Sequence, residues 1–129
     1  CPPTEGATPE HQVGCVMRAY IEVTREAHAE RARTLFHENA LMSGDLKGVW
    51  TGSPEPFFKS PQDPSKRPGD NGYTAKVGAV SVLGNTATGE VLEQNLFGYD
   101  FVNRFHLLSV DGRWLIVSKL YYAKPSAAK

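Results

Sequence analysis

The stretch "FVNRFHLLSVDGRWLIVSKLYY", Phe101 to Tyr122, constrains the fold more than any other part of the chain. Two apolar runs flank Asp111-Gly112, a dipeptide suited to the left-handed backbone of a two-residue hairpin turn. The runs 101–110 and Trp114 to Tyr122 read as antiparallel strands. Upstream, "YTAKVGAVSVL" is a strand, "GN" a tight turn and "TATGEVLEQNLF" a second strand, with "GYD" as the link to 101–110. From Tyr73 onward the apolar period is therefore two.

The N-terminal third follows a different rule. Thr8-Pro9-Glu10 combines a capping hydroxyl, a proline at the first helical position and an acid in the first turn. Val13, Val16, Met17, Tyr20, Ile21 and Thr24 then recur at helical spacing. Ala29 to Phe36 reads as a second helix, with Ala29, Ala32, Leu35 and Phe36 on one face. "HENA" breaks the pattern, Ala40 to Ser43 is a short strand, "GDLKG" turns, and Val49 to Thr51 returns. Ser53 and Pro54 open a short helix in "SPEPFFKSP". Residues 60–72, "SPQDPSKRPGDNG", hold no regular element and read as a long surface loop, a candidate lid. Helices first and strands after predict an α+β fold. A sheet this long must curl, and helices on one face close a cone with an apolar pocket inside.

A chain of 129 residues favours one domain over 9–124, with a flexible lead over 1–8 and a tail over 125–129. Lysine plus arginine and aspartate plus glutamate balance at 14 each, so nothing argues for nucleic acid. The apolar runs are too short to span a membrane as helices. Two cysteines, Cys1 and Cys15, lack zinc-ligand spacing. Cys1 before "PPTEGATPE" fits a lipid-anchored envelope protein, a mature secreted terminus or an arbitrary start. These three readings stay open, and localisation with them: cytoplasmic, or secreted or periplasmic. A Cys1–Cys15 disulfide is compatible with an oxidising compartment. There is no Walker loop, dinucleotide fingerprint, GxSxG elbow or HExxH, so neither a metal nor a nucleotide cofactor is expected.

The element order, with "YIEVTREAHAERARTLFHENALMSG", "VGAVSVLGNTATGEV" and "FHLLSVDGRWLIVSKLYY", resembles the nuclear-transport-factor-2-like superfamily over about residues 10–122. Within it the chain is similar to the lumazine-binding branch, close to the SnoaL-like group. The resemblance implies three N-terminal helices and a curved antiparallel or mixed sheet of about six strands. It also implies a pocket in the cone and, commonly, a homodimer through the sheet. The superfamily hosts isomerases, dehydratases, cyclases, hydrolases and non-enzymatic binders, so fold alone does not fix function.

The same resemblance singles out Tyr20 and His106. Tyr20 falls where the steroid-isomerase members carry a helix-one oxyanion donor. His106, six residues before Gly112, falls on their second donor. A histidine there can donate a hydrogen bond and exchange a proton near neutral pH. The isomerase base maps onto Gly44, and Asp45 next door belongs to a turn, so steroid-type isomerisation is not expected. A core tyrosine and a core histidine are the competing readings. Arg104 shares strand parity with His106, while Glu93 and Asn95 share theirs, as pocket or solvated residues. Trp50, Phe57, Phe58, Tyr73, Phe97, Phe101 and Tyr122 are candidate walls for a flat or hydrophobic ligand. His37 is placed to cap the second helix, and His11 and His28 lie among charges.

Two functions fit. One is a small-molecule pocket protein acting as a cofactor-free lyase or isomerase through Tyr20 and His106, on a hydrophobic or aromatic substrate. The other is a non-catalytic ligand-binding or dimeric interaction domain.

Overall fold

The structure, a computed structural model, describes residues 7–59 and 66–127. Helix α1 spans Pro9–Arg25 and starts where the sequence places it. The Thr8 hydroxyl accepts the His11 amide hydrogen bond at 3.1 Å, satisfying one of the helix's orphan donors. Val13, Met17, Tyr20, Ile21 and Thr24 form its buried stripe. Helix α2 is shorter than expected, Ala29–Arg33. "HENA" is not a break but the first part of strand β1, Phe36–Asp45. Phe36 leaves the helix because its backbone pairs beside Ile116 and its ring packs edge-on to Phe58 at 5.1 Å. His37 therefore caps no helix; its Nδ1 accepts from the Asn39 amide at 3.0 Å.

Strand β2 is Val49–Gly52, and the single-turn helix α3 is Glu55–Phe58. The second half of the expected lid forms a 3-10 turn, Pro68–Asp70, while residues 60–65 lie outside the described residues. Strands β3 (Thr74–Leu83), β4 (Thr86–Leu96), β5 (Tyr99–Val110) and β6 (Arg113–Pro125) complete the element order. Asp111 and Gly112 take φ of 51° and 82°, the left-handed turn read from the sequence. The sheet order is β2-β1-β6-β5-β4-β3, with β1–β6 parallel and the other pairings antiparallel. It is an open, six-stranded mixed sheet, and α1 packs against β3, β4 and β6. The fold class is α+β, with two helices ahead of the sheet and the third between β2 and β3.

Strand register decides what faces the interior. Gly89, Phe105, Lys119 and Met42 align across the sheet as one inward row. Val91, Asn103, Tyr121 and Gly44 form the next, and Ala75, Glu93, Phe101 and Ala123 the third. The outward rows are Thr88, His106, Ser118, Leu41, and then Glu90, Arg104, Leu120, Ser43. Between His106 and Leu107 the β5–β6 register shifts by one residue of β6. Ile116 and Lys119 both point inward as a result, although three positions apart.

Candidate functional site

Among the described residues one acidic and one basic side chain, Glu93 and Lys119, are buried in the interior of the cone. Glu93 is 2% exposed. It is held from both sides: the Tyr73 hydroxyl donates to Oε2 at 2.6 Å and the Asn103 Nδ2 donates to Oε1 at 2.6 Å. Both contacts are donations to an acceptor, the arrangement that makes a buried carboxylate tolerable. Asn103, wholly buried, also donates to the Val91 carbonyl at 3.3 Å. Burial and the nearby Glu93 charge together push the Tyr73 hydroxyl well above the ordinary tyrosine range. Tyr73 thus stays a neutral donor.

Lys119 is the second, 6% exposed. Its Nζ lies 4.3 Å from the Phe57 ring centroid, 5.1 Å from that of Tyr20 and 5.8 Å from that of Tyr121. Such faces attract a cation. Among the described residues no carboxylate lies within ion-pair distance of it and no hydrogen bond reaches it. Burial lowers its pKa to about 8, with the Glu93 charge opposing part of that fall.

Both groups border one cavity of about 350 Å³ at the mouth of the cone. Its walls come from the end of α1 (Val23, Thr24), from Phe57 and Pro68, from Leu96, Phe101 and Tyr121 of the sheet, and from Phe97 in the β4–β5 turn. The lining is mainly apolar, with Lys119, Glu93, Thr24 and His28 as polar points, the usual make-up of a small-molecule site. Tyr20 stands behind it. Its ring stacks on Phe57 at 6.0 Å and meets Phe105 edge-on at 4.9 Å. Its hydroxyl is buried without a hydrogen-bond partner among the described residues. Burial, then the charges of Glu93 and Tyr73, raise its pKa strongly.

The pairing of Tyr20 with His106 is corrected by this geometry. His106 is exposed on the outer face, between Thr88 and Ser118, whereas its neighbours Phe105 and Leu107 fill the core. Arg104 shares its parity and is likewise outside, 3.8 Å from Glu90. His106→Ala should therefore change stability by no more than about 0.5 kcal/mol and leave ligand binding in the cone intact. Thermal melts and a ligand titration of the variant check this.

The other expected wall residues divide. Phe58 and Tyr73 are buried in the core, and Tyr73 reaches the site only through Glu93. Tyr122 is 59% exposed on the outer face, and Trp50 lies exposed on edge strand β2. Asn95 sits at an irregularity of β4 with φ of 59°, its Nδ2 donating to the Asn71 carbonyl at 3.2 Å. Trp50, Tyr122, Asn95 and Arg104, expected at the pocket, therefore lie off this cavity. Phe57, Phe97 and Phe101 do line it.

Gly44, where the resemblance puts the isomerase base, faces inward beside Tyr121. A Cβ there would collide with the Tyr121 ring, so the ring occupies the volume a side chain at 44 would need. Gly44→Ala should cost about 1–3 kcal/mol in urea unfolding, the usual range for overpacking. Asp45, expected in the turn, is instead the last residue of β1, paired with Val49 and Tyr122, and its carboxylate accepts from the Gly48 amide of the following turn at 3.1 Å. Among the described residues no group of three or more His, Cys, Asp or Glu could hold a metal. No described cysteine is free, and Cys1 lies outside the described residues.

A sequence model of the family described as "Putative lumazine-binding" matches residues 8–122. The chain belongs to this family. Among solved structures it is similar to an NTF2-like protein of unknown function from Shewanella baltica OS155. They share 25% identity at a TM-score of 0.78, over 90% of this chain and 94% of that one. An NTF2-like protein of unknown function from Methylobacillus flagellatus KT superposes at 0.78 with 19% identity, over 92% and 96% of the two chains. A ketosteroid isomerase-like protein from Erwinia carotovora atroseptica SCRI1043 superposes at 0.64 with 12% identity, over 90% and 98%. No curated protein matches the chain. These likenesses put the family member in the NTF2-like superfamily, with the fold described above.

Proposed function

We propose that the cone is a binding site for a flat, largely apolar small molecule whose anionic or carbonyl oxygen rests on Lys119. One observation carries this reading: a buried ammonium over aromatic faces, without an ion-pair partner among the described residues, at the wall of an accessible cavity. An unpaired buried charge is costly, and an oxygen acceptor from the ligand offsets that cost. Phe57, Phe97 and Phe101 supply the apolar surface, and Glu93 offers an acceptor at the same wall. The family's name points to lumazine, a flat heteroaromatic ring with carbonyl oxygens, which falls in this ligand class. Acid–base work of the cofactor-free lyase or isomerase kind then belongs to Lys119 and Glu93, with Tyr20 behind them, and not to His106.

Calorimetric titration with 2-naphthoate and its neutral counterpart 2-naphthamide tests the reading. The acid should bind more tightly at pH 7, and Lys119→Met should weaken it roughly ten- to hundred-fold, the worth of one charge-assisted hydrogen bond. Equal affinity of wild type and Lys119→Met for the acid would remove Lys119 from the site.

The outer face supports a second proposal, a homodimer through the sheet. Leu41, Leu120 and Tyr122 are 57%, 50% and 59% exposed there, in neighbouring outward rows. The balanced net charge lets two copies meet without net repulsion, and Arg104 with Glu90, in the same outward row as Leu120, gives a two-fold contact complementary charges. Sedimentation equilibrium should show a dimer that Leu120→Glu converts to monomer. A monomeric wild type across the micromolar range would refute it.

A further inference from the structure

We infer that Lys119 is a carbonyl-reactive amine, able to hold aldehydes or ketones in the cone as a reversible imine. The inference rests on the cone being a ligand pocket, and it names the ligand chemistry of that pocket. Three features of the site point the same way. The amine ends at an open cavity of about 350 Å³, room for a small carbonyl compound. Its surroundings are aromatic faces, which hold the ammonium form less firmly than a paired carboxylate would. Glu93 borders the same cavity and is pinned by Tyr73 and Asn103, so an acid–base group is held in place nearby. Lys76 and Lys124 border a separate groove that Glu93 also reaches, but they and Lys47 are exposed, and none is buried among aromatic rings as Lys119 is.

The chemistry balances without any oxidant or cofactor. The neutral amine attacks the carbonyl carbon, a C–N bond forms, and the C=O π pair moves to oxygen. The nitrogen gives up a proton and the oxygen gains one, giving a carbinolamine. The nitrogen lone pair then expels that oxygen, protonated again, as water, and loss of the last nitrogen proton leaves C=N. Amine plus carbonyl compound becomes imine plus water. Buried lysines are used in this way because desolvation frees their lone pair. With the pKa lowered to about 8 by burial, the free-amine fraction at pH 7 is on the order of a hundred times that of an ordinary lysine. The titratable groups around Lys119 are Glu93 on β4, Tyr20 on α1, His28 at the start of α2, and Tyr121 on β6. Of these Glu93 acts against the fall in pKa.

Reductive trapping tests the inference. The intact protein is treated at pH 7 with benzaldehyde and sodium cyanoborohydride, and peptide mapping separates Lys119 from the terminal amine and the exposed lysines. Lys119 should gain a benzyl group at least about ten-fold faster than Lys47, Lys76 or Lys124, a conservative share of its free-amine advantage. Prior saturation with 2-naphthoate should slow that labelling selectively. The adduct should vanish in Lys119→Arg, whose folding is checked by circular dichroism. Labelled exposed lysines with Lys119 unmodified would overturn the inference. If 2-naphthoate still binds through Lys119 in that case, only the imine falls. If it does not bind either, the pocket reading falls with it.

Discussion

Replacing Lys119 with methionine should make the protein more stable at pH 7, by about 2 kcal/mol. The sign follows from the direction of the shift. In the folded protein burial lowers the Lys119 pKa to about 8, whereas the unfolded chain keeps a value near 10.4. Between those two values the unfolded state binds a proton that the folded state does not, so stability rises with pH across that window. Below about pH 8 both states are protonated, and the folded state bears the full penalty, about 3 kcal/mol. The cation–π contacts with Phe57, Tyr20 and Tyr121 that methionine forgoes reduce the net gain. Wild type should therefore gain stability from pH 8 to pH 10, and Lys119→Met should lose that slope. Above pH 10 the raised pKa values of Tyr20, Tyr73 and Tyr121 act the other way. Unfolded tyrosines ionise there while the folded ones resist, so stability falls again. Urea unfolding of both proteins at half-unit pH steps measures this. A flat wild-type profile between pH 8 and 10 would show that Lys119 keeps an ordinary pKa.

Glu93→Ala should have the opposite and larger effect, a loss of about 3–5 kcal/mol, the range for removing one member of a buried charged network. It strands the Tyr73 hydroxyl and the Asn103 amide, both buried and both now without their acceptor. Glu93→Gln keeps a carbonyl for one of the two donors and should lose about 1–2 kcal/mol. The same variant removes the negative charge that holds the Lys119 pKa up. That pKa should then fall below about 8, and affinity for 2-naphthoate at neutral pH should drop with it. Equal stability of Glu93→Ala and wild type in chemical unfolding would show that the network contributes nothing.

The hairpin at Asp111-Gly112, the capped start of α1 and the two-residue period from Tyr73 onward were legible because each is a local signal. The start of β1 was not. Helical spacing carries Leu35 and Phe36 into α2, and only the parallel pairing with β6, some eighty residues later, draws Phe36 into the sheet. The site was obscured for a related reason. Both faces of β5 carry apolar residues, Phe105 and Leu107 inside, Val102 and Leu108 opposite. Hydrophobicity therefore cannot say which face His106 takes. Lys119 is hidden further, because plain alternation from buried Ile116 turns it outward and only the irregular residue in β6 returns it to the core. Glu93 did leave a trace, since it alternates with Val91 and Gly89 on the buried face of β4. Its charge argues for solvent unless the partners Tyr73 and Asn103 are known.

The most direct test is the titration of Lys119 itself, followed through its 13Cε and 15Nζ resonances in uniformly labelled protein and assigned with Lys119→Arg. A midpoint near pH 8 in the free protein, moving upward when 2-naphthoate binds, is the expected result. A midpoint near 10.4, the ordinary lysine value, unmoved by the ligand, would contradict a desolvated amine at the wall of a ligand-binding cone.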